Sequence, residues 1–326
     1  MMAKLHRILL PVTFLAAILL SCSRSDAPKF ASEIEKTLVK GDWQGVLDGY
    51  TDDGLHVVYQ DICCLNVALA ETGQLADKAF NYTQAGSLGI LPEWEFDIDG
   101  ARILSRVYYS MGHIALTQRM AFEGNVMSKD DNDPPLLEML VRTNLIYGAY
   151  PVAEKYLALL GDIPQCRDFV SRYSRFLWND EALEADPELG PRRKCIPKED
   201  FLTTREIEED LEDIAKSNPS FRNAIEYAGL IKLLDLDIDG FKELVDRNYG
   251  TDVLPSLPVS FKEAACILSE TYPGYWKTVG VESAMWNEYR GFLSRIDGKL
   301  PVDKYKGTFW YYVARIANAG QKVTGK

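Results

Sequence analysis

The chain has 326 residues, with 36 lysines and arginines against 48 aspartates and glutamates, and a formal net charge of −12. Hydrophobic residues make up 47% and charged residues 26%, which is typical of a folded protein and excludes a disordered chain or a polytopic membrane protein. The acidic excess argues against nucleic acid as a partner, because binding to phosphates needs a basic face. The length predicts one large domain or two modest ones.

Residues 1–21 are predicted to be a secretory signal peptide. Lys4 and Arg7 precede an apolar stretch from Ile8 to Leu20. A basic start followed by a short apolar stretch is typical of a signal peptide. The stretch is shorter than the about 20 residues that a membrane span needs.

The sequence Leu-Leu-Ser-Cys at residues 19–22 resembles the lipobox of bacterial lipoproteins. The resemblance implies that the signal is removed, that Cys22 is acylated, and that several acyl chains hold the protein at a membrane. Residues 22–30 are then a lipidated tether, since 23–29 contain no core-forming side chain. Asp does not follow Cys22 directly, which by lipoprotein sorting rules favours the outer over the inner membrane of the cell envelope. An ordinary signal peptide with an incidental cysteine is the alternative.

Five cysteines remain in the mature chain. They are Cys63, Cys64, Cys166, Cys195 and Cys266. An oxidising envelope permits disulfides, and Cys166 and Cys195 are the one pair that flanks a loop-rich stretch, so a bridge there and free thiols both stay open. No zinc or thioredoxin motif is present. The mature chain's two histidines, His56 and His113, are predicted to be structural or surface residues.

A glycine motif recurs along the chain. Gly41, Gly148 and Gly240 each precede an aromatic residue by one or two positions, Val or Ala by five, and Tyr or Leu by nine, and Gly73 and Gly112 carry a shifted version. From Gly41 to Gly148 the spacings are 32, 39 and 36 residues, which resembles degenerate tetratricopeptide repeats of about 34 residues.

Glycine permits a tight reversal, and a small residue lets the two helices of a hairpin approach each other. One hairpin cannot bury its apolar face alone, so several must stack. The sequence therefore predicts an all-α fold of tetratricopeptide-like hairpins stacked as an α-solenoid. A helical bundle with glycine turns is the alternative.

Three regions follow the tether. Residues 31–160 are predicted to form N-terminal helical repeats, 161–202 an irregular connection with one helix, and 203–326 a C-terminal helical region. The one helix of the connection spans 167–178. The prolines between 180 and 197 predict irregular structure there, including the basic cluster Arg192-Arg193-Lys194.

The C-terminal region contains several helical patterns. Thr203 and Glu206 form a capping box for a helix that ends near Ser217. The later helices are predicted at 223–234, 241–248, 261–270, 281–296 and 308–318.

Four segments look like signatures of an uncharacterised domain-of-unknown-function family from Bacteroidota. They are 66–78 (NVALAETGQLADK), 108–122 (YYSMGHIALTQRMAF), 143–148 (TNLIYG) and 307–312 (GTFWYY). Many relatives carry a membrane-spanning region ahead of this domain, and here the lipobox would take its place. The resemblance implies fold and location, but no activity, no catalytic residue and no cofactor.

Residues 235–246 have the acidic spacing of an EF-hand calcium loop. Aspartates occupy positions 1, 3 and 5, and Gly240 occupies position 6. Lys242 at position 8 and Asp246 in place of the longer Glu at position 12 favour the alternative, a solvated acidic turn. We assign no metal site.

Aromatic residues crowd the last 55 positions, and most have the spacing of helix faces that pack in a core. Trp276, Trp310 and Tyr311 are the candidate binding residues, since Tyr and Trp are frequent at recognition surfaces. No motif of an enzyme is present. The first hypothesis is a lipid-anchored envelope scaffold, without catalysis, that binds another envelope protein or a peptide. The second is a glycan-binding component of a polysaccharide-uptake system.

Overall fold

The structure is a computed structural model that describes residues 30, 32–51, 58–129, 132–197 and 206–324. Within these ranges the protein is helical and has no β-strand, which confirms the all-α prediction. The predicted signal peptide, Cys22, the tether as far as residue 29, and His56 lie outside the described residues.

The described residues up to 161 contain eight α-helices. They are α1 (Glu33–Val39), α2 (Trp43–Gly49), α3 (Tyr59–Glu71), α4 (Leu75–Lys78), α5 (Ile98–Met111), α6 (Ile114–Met127), α7 (Pro134–Ile146) and α8 (Tyr150–Gly161). The remaining helices of the described chain are α9 (Arg167–Ser174), α10 (Asp180–Ala185), α11 (Leu189–Lys194), α12 (Ile207–Ser217), α13 (Asn223–Leu234), α14 (Ile238–Asn248), α15 (Val259–Thr271), α16 (Tyr275–Thr278), α17 (Ser283–Asp297) and α18 (Phe309–Thr324).

Four of the predicted glycine turns share one backbone geometry. Gly41, Gly73, Gly112 and Gly148 have φ of 73°, 67°, 79° and 72°. In each turn the glycine N–H donates to the carbonyl three residues back, and the next N–H donates to the carbonyl five residues back. This pair of bonds is the Schellman motif, which needs a left-handed residue and therefore favours glycine. The predicted turn positions are confirmed at these four glycines.

The fifth predicted turn is displaced. Gly240 lies in the first turn of α14, and Leu236 takes the left-handed position with φ of 58°. Asp237 caps α14 by accepting a bond of 3.0 Å from the Gly240 N–H. A Cβ at Gly240 would lie 2.0 Å from the nearer Asp237 carboxylate oxygen. The glycine at 240 therefore leaves room for the cap and does not form the turn.

The left-handed positions differ in their expected response to substitution. Gly73→Ala is expected to lower the free energy of unfolding by about 1 kcal/mol, because Ala is strained there although nothing lies within 4 Å of its Cβ. Leu236→Gly is expected to raise it by up to about 1 kcal/mol, because it removes that strain. Urea denaturation measures both; a loss of stability in Leu236→Gly would contradict the strain at this turn.

Helices that are close in the chain pack against one another in its N-terminal part. Helix α3 packs against α1, α2 and α5, and α7 packs against α5, α6 and α8. The C-terminal half then folds back, because α13 packs against α4 and α5, and α15 packs against α4. The apolar interior forms two clusters, and α5 contributes side chains to both, Ile103 and Val107 to one and Leu104 to the other.

The described part of the connection, residues 161–197, contains three α-helices, α9, α10 and α11, where the sequence predicted one. Asn179 caps α10 by accepting a bond from the Ala182 N–H, and the Asp186 carboxylate accepts bonds from the first N–H groups of α11. Pro191 lies in the first turn of α11, where a missing N–H costs nothing. Pro191 is therefore compatible with a helix start, and the basic cluster 192–194 is helical.

Two further boundaries differ from the prediction. Helix α12 begins at Ile207 without a side-chain cap, and Thr203 lies outside the described residues. Helix α18 continues to Thr324, beyond the predicted end at 318. The cysteines that the structure describes are free and buried, and Cys166 and Cys195 belong to different apolar clusters, so the structure has no bridge between them.

Candidate functional sites

Two of the three predicted binding residues lie in the core. Trp310 is 2% exposed, and its indole N–H donates to the Glu263 carbonyl at 2.8 Å. Trp276 is 8% exposed and stacks on Trp286, with ring centroids 5.3 Å apart. Their ring faces are covered by this chain, so the sequence interpretation of Trp276 and Trp310 as a recognition surface disagrees with their positions.

The third residue, Tyr311, is partly exposed and lines a pocket of about 400 Å³. We call this the tyrosine pocket, because three tyrosines line it. Its walls come from residues 80–84 and from the start of α18 and the loop before it. The lining is Phe80, Asn81, Tyr82, Thr83, Gln84, Lys306, Gly307, Thr308, Tyr311, Tyr312 and Arg315.

The floor of the tyrosine pocket is fixed by aromatic packing. The Phe80 ring lies 5.1 Å from Phe309 and 5.2 Å from Tyr312, between centroids. The Tyr312 hydroxyl donates to the Leu234 carbonyl at 2.9 Å. At the rim, the Thr308 hydroxyl caps α18 by accepting a bond from the Tyr311 N–H. The pocket is therefore shaped by contacts within the folded chain.

The charge of the tyrosine pocket is positive. Among the described residues, its lining holds Lys306 and Arg315 and no carboxylate. Lys306 lies 3.7 Å from Asp303, but both side chains are largely exposed and such pairs are weak. Among the described carboxylates, none lies within ion-pair distance of Arg315. The local positive charge of the pocket is opposite in sign to the net charge of the chain, −12.

A second site is a groove of about 350 Å³ between α6 and α8, with α7 as its floor. We call it the apolar groove; its lining is Ala115, Gln118, Arg119, Phe122, Leu140, Asn144, Val152 and Tyr156. Phe122 is 53% exposed, and Val126, four residues further along α6, is 54% exposed. Val152 and Leu159 on α8 are also exposed. Residues four and seven apart share a helix face, so the exposed apolar surface extends beyond the groove along both helices.

The sequence interpretation missed Phe122, although a signal was present. The buried side chains of α6 include Ile114, Thr117 and Ala121, which recur at helical spacing. Phe122 and Val126 fall off that face. A large apolar residue on the polar side of an amphipathic helix could have indicated a contact surface.

A buried charge network joins α5, α7, α9 and the residue that precedes α11. The Arg142 Nε donates to the Glu188 Oε1 at 2.8 Å, and the hydroxyls of Tyr109 and Tyr173 donate to the same carboxylate at 3.0 and 2.6 Å. Burial raises the pKa of Glu188, but Arg142 and the Tyr173 hydrogen bond outweigh it and hold the pKa at about 2. Its charges and hydroxyls bond to one another, which indicates a structural role.

Arg192 extends this network. Its guanidinium lies 2.6 Å from the Glu71 carboxylate and 4.2 Å from the centre of the Tyr109 ring. Arg192 was predicted to lie in a loop, and it is helical and 5% exposed. The ion pair between Arg192 and Glu71 joins α11 to α3, which are far apart in the chain.

Three carboxylates of the acidic turn 235–246 accept hydrogen bonds from the protein itself. Asp237 caps α14, Asp235 accepts a bond from the Ser87 N–H, and Asp246 accepts one from the Tyr275 hydroxyl. Over the described ranges, no three His, Cys, Asp or Glu side chains cluster closely enough to hold a metal ion. Asp235, Asp237 and Asp239 are exposed to solvent.

His113 is a structural residue, as predicted. It is 2% exposed, and its Nδ1 accepts a bond from the Leu116 N–H at the start of α6. Its Nε2 lies 3.4 Å from Asp210. Burial lowers the pKa of His113, and Asp210 opposes this shift. The ring therefore caps a helix.

A family model described as a family of unknown function (DUF6057) matches residues 3–315, nearly the whole chain. The chain belongs to this family. The predicted membership of an uncharacterised domain family is thus confirmed. Comparisons with curated proteins and with solved structures gave no match. In the described part of this DUF6057 member, no helix has the length and apolar character to cross a membrane.

Proposed function

We propose that this protein is a lipid-anchored helical-repeat protein of the cell envelope that binds another envelope protein or peptide and performs no catalysis. The apolar groove carries the proposal. Single exposed apolar residues are ordinary, but four on the facing sides of two neighbouring helices are typical of an interaction site. The lipobox at residues 19–22 supports the location, with the outer membrane favoured.

The partner that suits the apolar groove is an amphipathic helix. Helices α6 and α8 have 14 and 12 residues, which gives walls of about 18–21 Å. Side chains at helical spacing on a partner would enter between these walls and cover Phe122 and Val152. Arg119, paired with Glu123 at 2.8 Å, gives the rim a polar edge.

Affinity purification of the full lipoprotein from gently solubilised native envelopes tests this function. Phe122→Asp is expected to abolish recovery of the bound protein, because a carboxylate would be buried against the partner's apolar face. Phe96→Asp is the matched control, since Phe96 is 72% exposed and outside the groove. Equal recovery of the same protein with wild type and both variants would contradict the groove as the binding site.

Lipidation is tested separately at residue 22. Cys22→Ser is expected to remove the acyl chains and release the protein into the soluble fraction, because the serine hydroxyl cannot take the thioether-linked lipid. Ser21→Ala is the matched control, as it keeps a small residue before the cysteine. Mass spectrometry of the N-terminal peptide and membrane fractionation measure the effect. Continued membrane association of Cys22→Ser would argue against the anchor.

A second candidate function is glycan binding, as a component of a polysaccharide-uptake system. The observation that favours it is the tyrosine pocket, where Tyr311 and Tyr82 are both partly exposed. Aromatic faces stack on sugar rings, whose C–H groups meet the negative face of the ring. The support comes from Tyr311 alone among the three residues that the sequence indicated.

A further inference from the structure

We propose that the tyrosine pocket binds an acidic sugar, with the sugar ring on Tyr311 and the sugar carboxylate paired with Arg315. The inference rests on the second candidate function and names its ligand class. It depends on the placement of cations and aromatic rings around one cavity.

The first argument is the position of Arg315. It follows Tyr311 by four residues on α18, so both side chains leave the same face of the helix. A guanidinium bonds a carboxylate through two parallel N–H groups, which fixes direction as well as charge. Lys306 adds a second cation from the loop that precedes α18. A ligand whose ring stacks on Tyr311 therefore meets both charges at its edge.

The second argument is the pairing of charges. In a chain with an acidic excess, about half of the described lysines and arginines form an ion pair with a carboxylate, as Lys262 does with Glu282 at 2.7 Å. Among the described residues, Arg315 has no carboxylate within ion-pair distance, and none of the pocket-lining residues is acidic. The complementary ligand is therefore an anion.

The third argument is the aromatic wall. Tyr82 lies in the other segment of the lining, and its ring is held edge-on against Tyr50 with centroids 5.8 Å apart and planes at 85°. The Asn81 amide in the same segment can bond sugar hydroxyls. A simple inorganic anion would need only the two cations. The rings and the amide indicate a ligand with a ring and hydroxyl groups.

The fourth argument is preorganisation. The Glu263 carboxylate accepts a bond of 2.7 Å from the Phe309 N–H, and Tyr312 is bonded to the Leu234 carbonyl, so the first turn of α18 is fixed. A cavity of about 400 Å³ is in the range that small ligands occupy. Little ordering of the pocket is needed for binding, which favours affinity.

Titration calorimetry on the detergent-solubilised full lipoprotein tests the proposal. The probes are tetragalacturonate, the neutral tetrasaccharide maltotetraose, and inorganic phosphate. Wild type is expected to bind tetragalacturonate at least about tenfold more tightly than either other probe, because only it offers both a ring and a carboxylate. Arg315→Gln and Tyr311→Ala are each expected to weaken that binding by about tenfold.

Matched controls keep the result specific. Arg167→Gln changes an exposed arginine outside the pocket, and Tyr272→Ala an exposed tyrosine outside it. Both controls are expected to bind tetragalacturonate as wild type does. Thermal melts of all variants check the fold, and Arg315 is exposed, so its substitution is expected to leave the melting temperature unchanged.

Each other outcome would overturn the acidic-sugar proposal. Equal binding of maltotetraose and tetragalacturonate, both weakened in Tyr311→Ala, would keep glycan binding and reject the acidic class. Phosphate binding as tight as that of tetragalacturonate, with no effect of Tyr311→Ala, would leave an anion site only. Absence of binding by both saccharides would reject the acidic class and count against glycan binding.

Discussion

Glu188→Ala is expected to lower the free energy of unfolding by about 3–5 kcal/mol, the largest effect that we expect from one substitution. Arg142 is largely buried, and without the Glu188 carboxylate its guanidinium keeps only the longer carboxylate contact of 3.4 Å, to Glu138, so a buried charge loses its main partner. The substitution also leaves the hydroxyls of Tyr109 and Tyr173 without their acceptor.

Urea denaturation at pH 7 measures this effect. Glu184→Ala is the matched control, because Glu184 is exposed on the preceding helix, and we expect a change below about 0.5 kcal/mol there. A loss below about 1 kcal/mol for Glu188→Ala would contradict the structural role of the network. The double variant Arg142→Met with Glu188→Met is expected to recover part of the loss, since it leaves no buried charge unpaired.

The pH dependence of this contribution has a definite sign. The pKa of Glu188 is lowered from its usual value near 4.5 to about 2 in the folded protein. The stabilisation is therefore present above pH 4.5 and is lost as the pH falls toward 2. We expect the stability difference between wild type and Glu188→Ala to shrink over that acidic range.

Glu263→Gln is expected to abolish the decrease in the free energy of unfolding that wild type shows as the pH rises. Burial raises the pKa of Glu263 to about 8, although the Phe309 N–H opposes the shift, and Glu288 adds to it. The group gives its full stabilisation below pH 4.5, the usual pKa of the unfolded chain. This stabilisation falls as the pH rises and is lost once the pH has passed the folded pKa of about 8. Between these values wild type should lose about 1.4 kcal/mol per pH unit from this group.

Urea denaturation at pH 5, 6.5 and 8 measures the slope. Glu263→Gln keeps a carbonyl oxygen that can accept from the Phe309 N–H and cannot ionise, so its stability should be nearly independent of pH across this interval. Glu270→Gln, at an exposed position of the same helix, should keep the wild-type slope. The same slope in wild type and Glu263→Gln would show that Glu263 does not titrate in this range.

The helical turns could be predicted because they depend on local backbone geometry. Glycine at 41, 73, 112 and 148 satisfies a left-handed position that few other residues adopt. Gly240 misled the prediction because glycine also suits the first turn of a capped helix, where a Cβ would meet Asp237. Glycine therefore occurs for two different structural reasons in this chain, and the sequence pattern does not distinguish them.

The sites were harder to predict because they depend on tertiary packing. Trp310 and Tyr311 are neighbours, yet the first is buried and the second reaches a pocket, since adjacent residues on a helix point about 100° apart. The network joins Arg142 to Glu188, 46 positions apart, and Arg192 to Glu71, 121 positions apart. No local pattern indicates pairs at such separations.

Site-specific photocrosslinking in intact cells tests the central claim most directly. A photoreactive phenylalanine analogue replaces Phe122 in the apolar groove or, as the control, Phe96, and mass spectrometry identifies crosslinked proteins. The account predicts one reproducible envelope protein crosslinked from position 122 and absent from position 96. The same crosslinked proteins from both positions, or none from position 122, would contradict a partner-binding role for the groove.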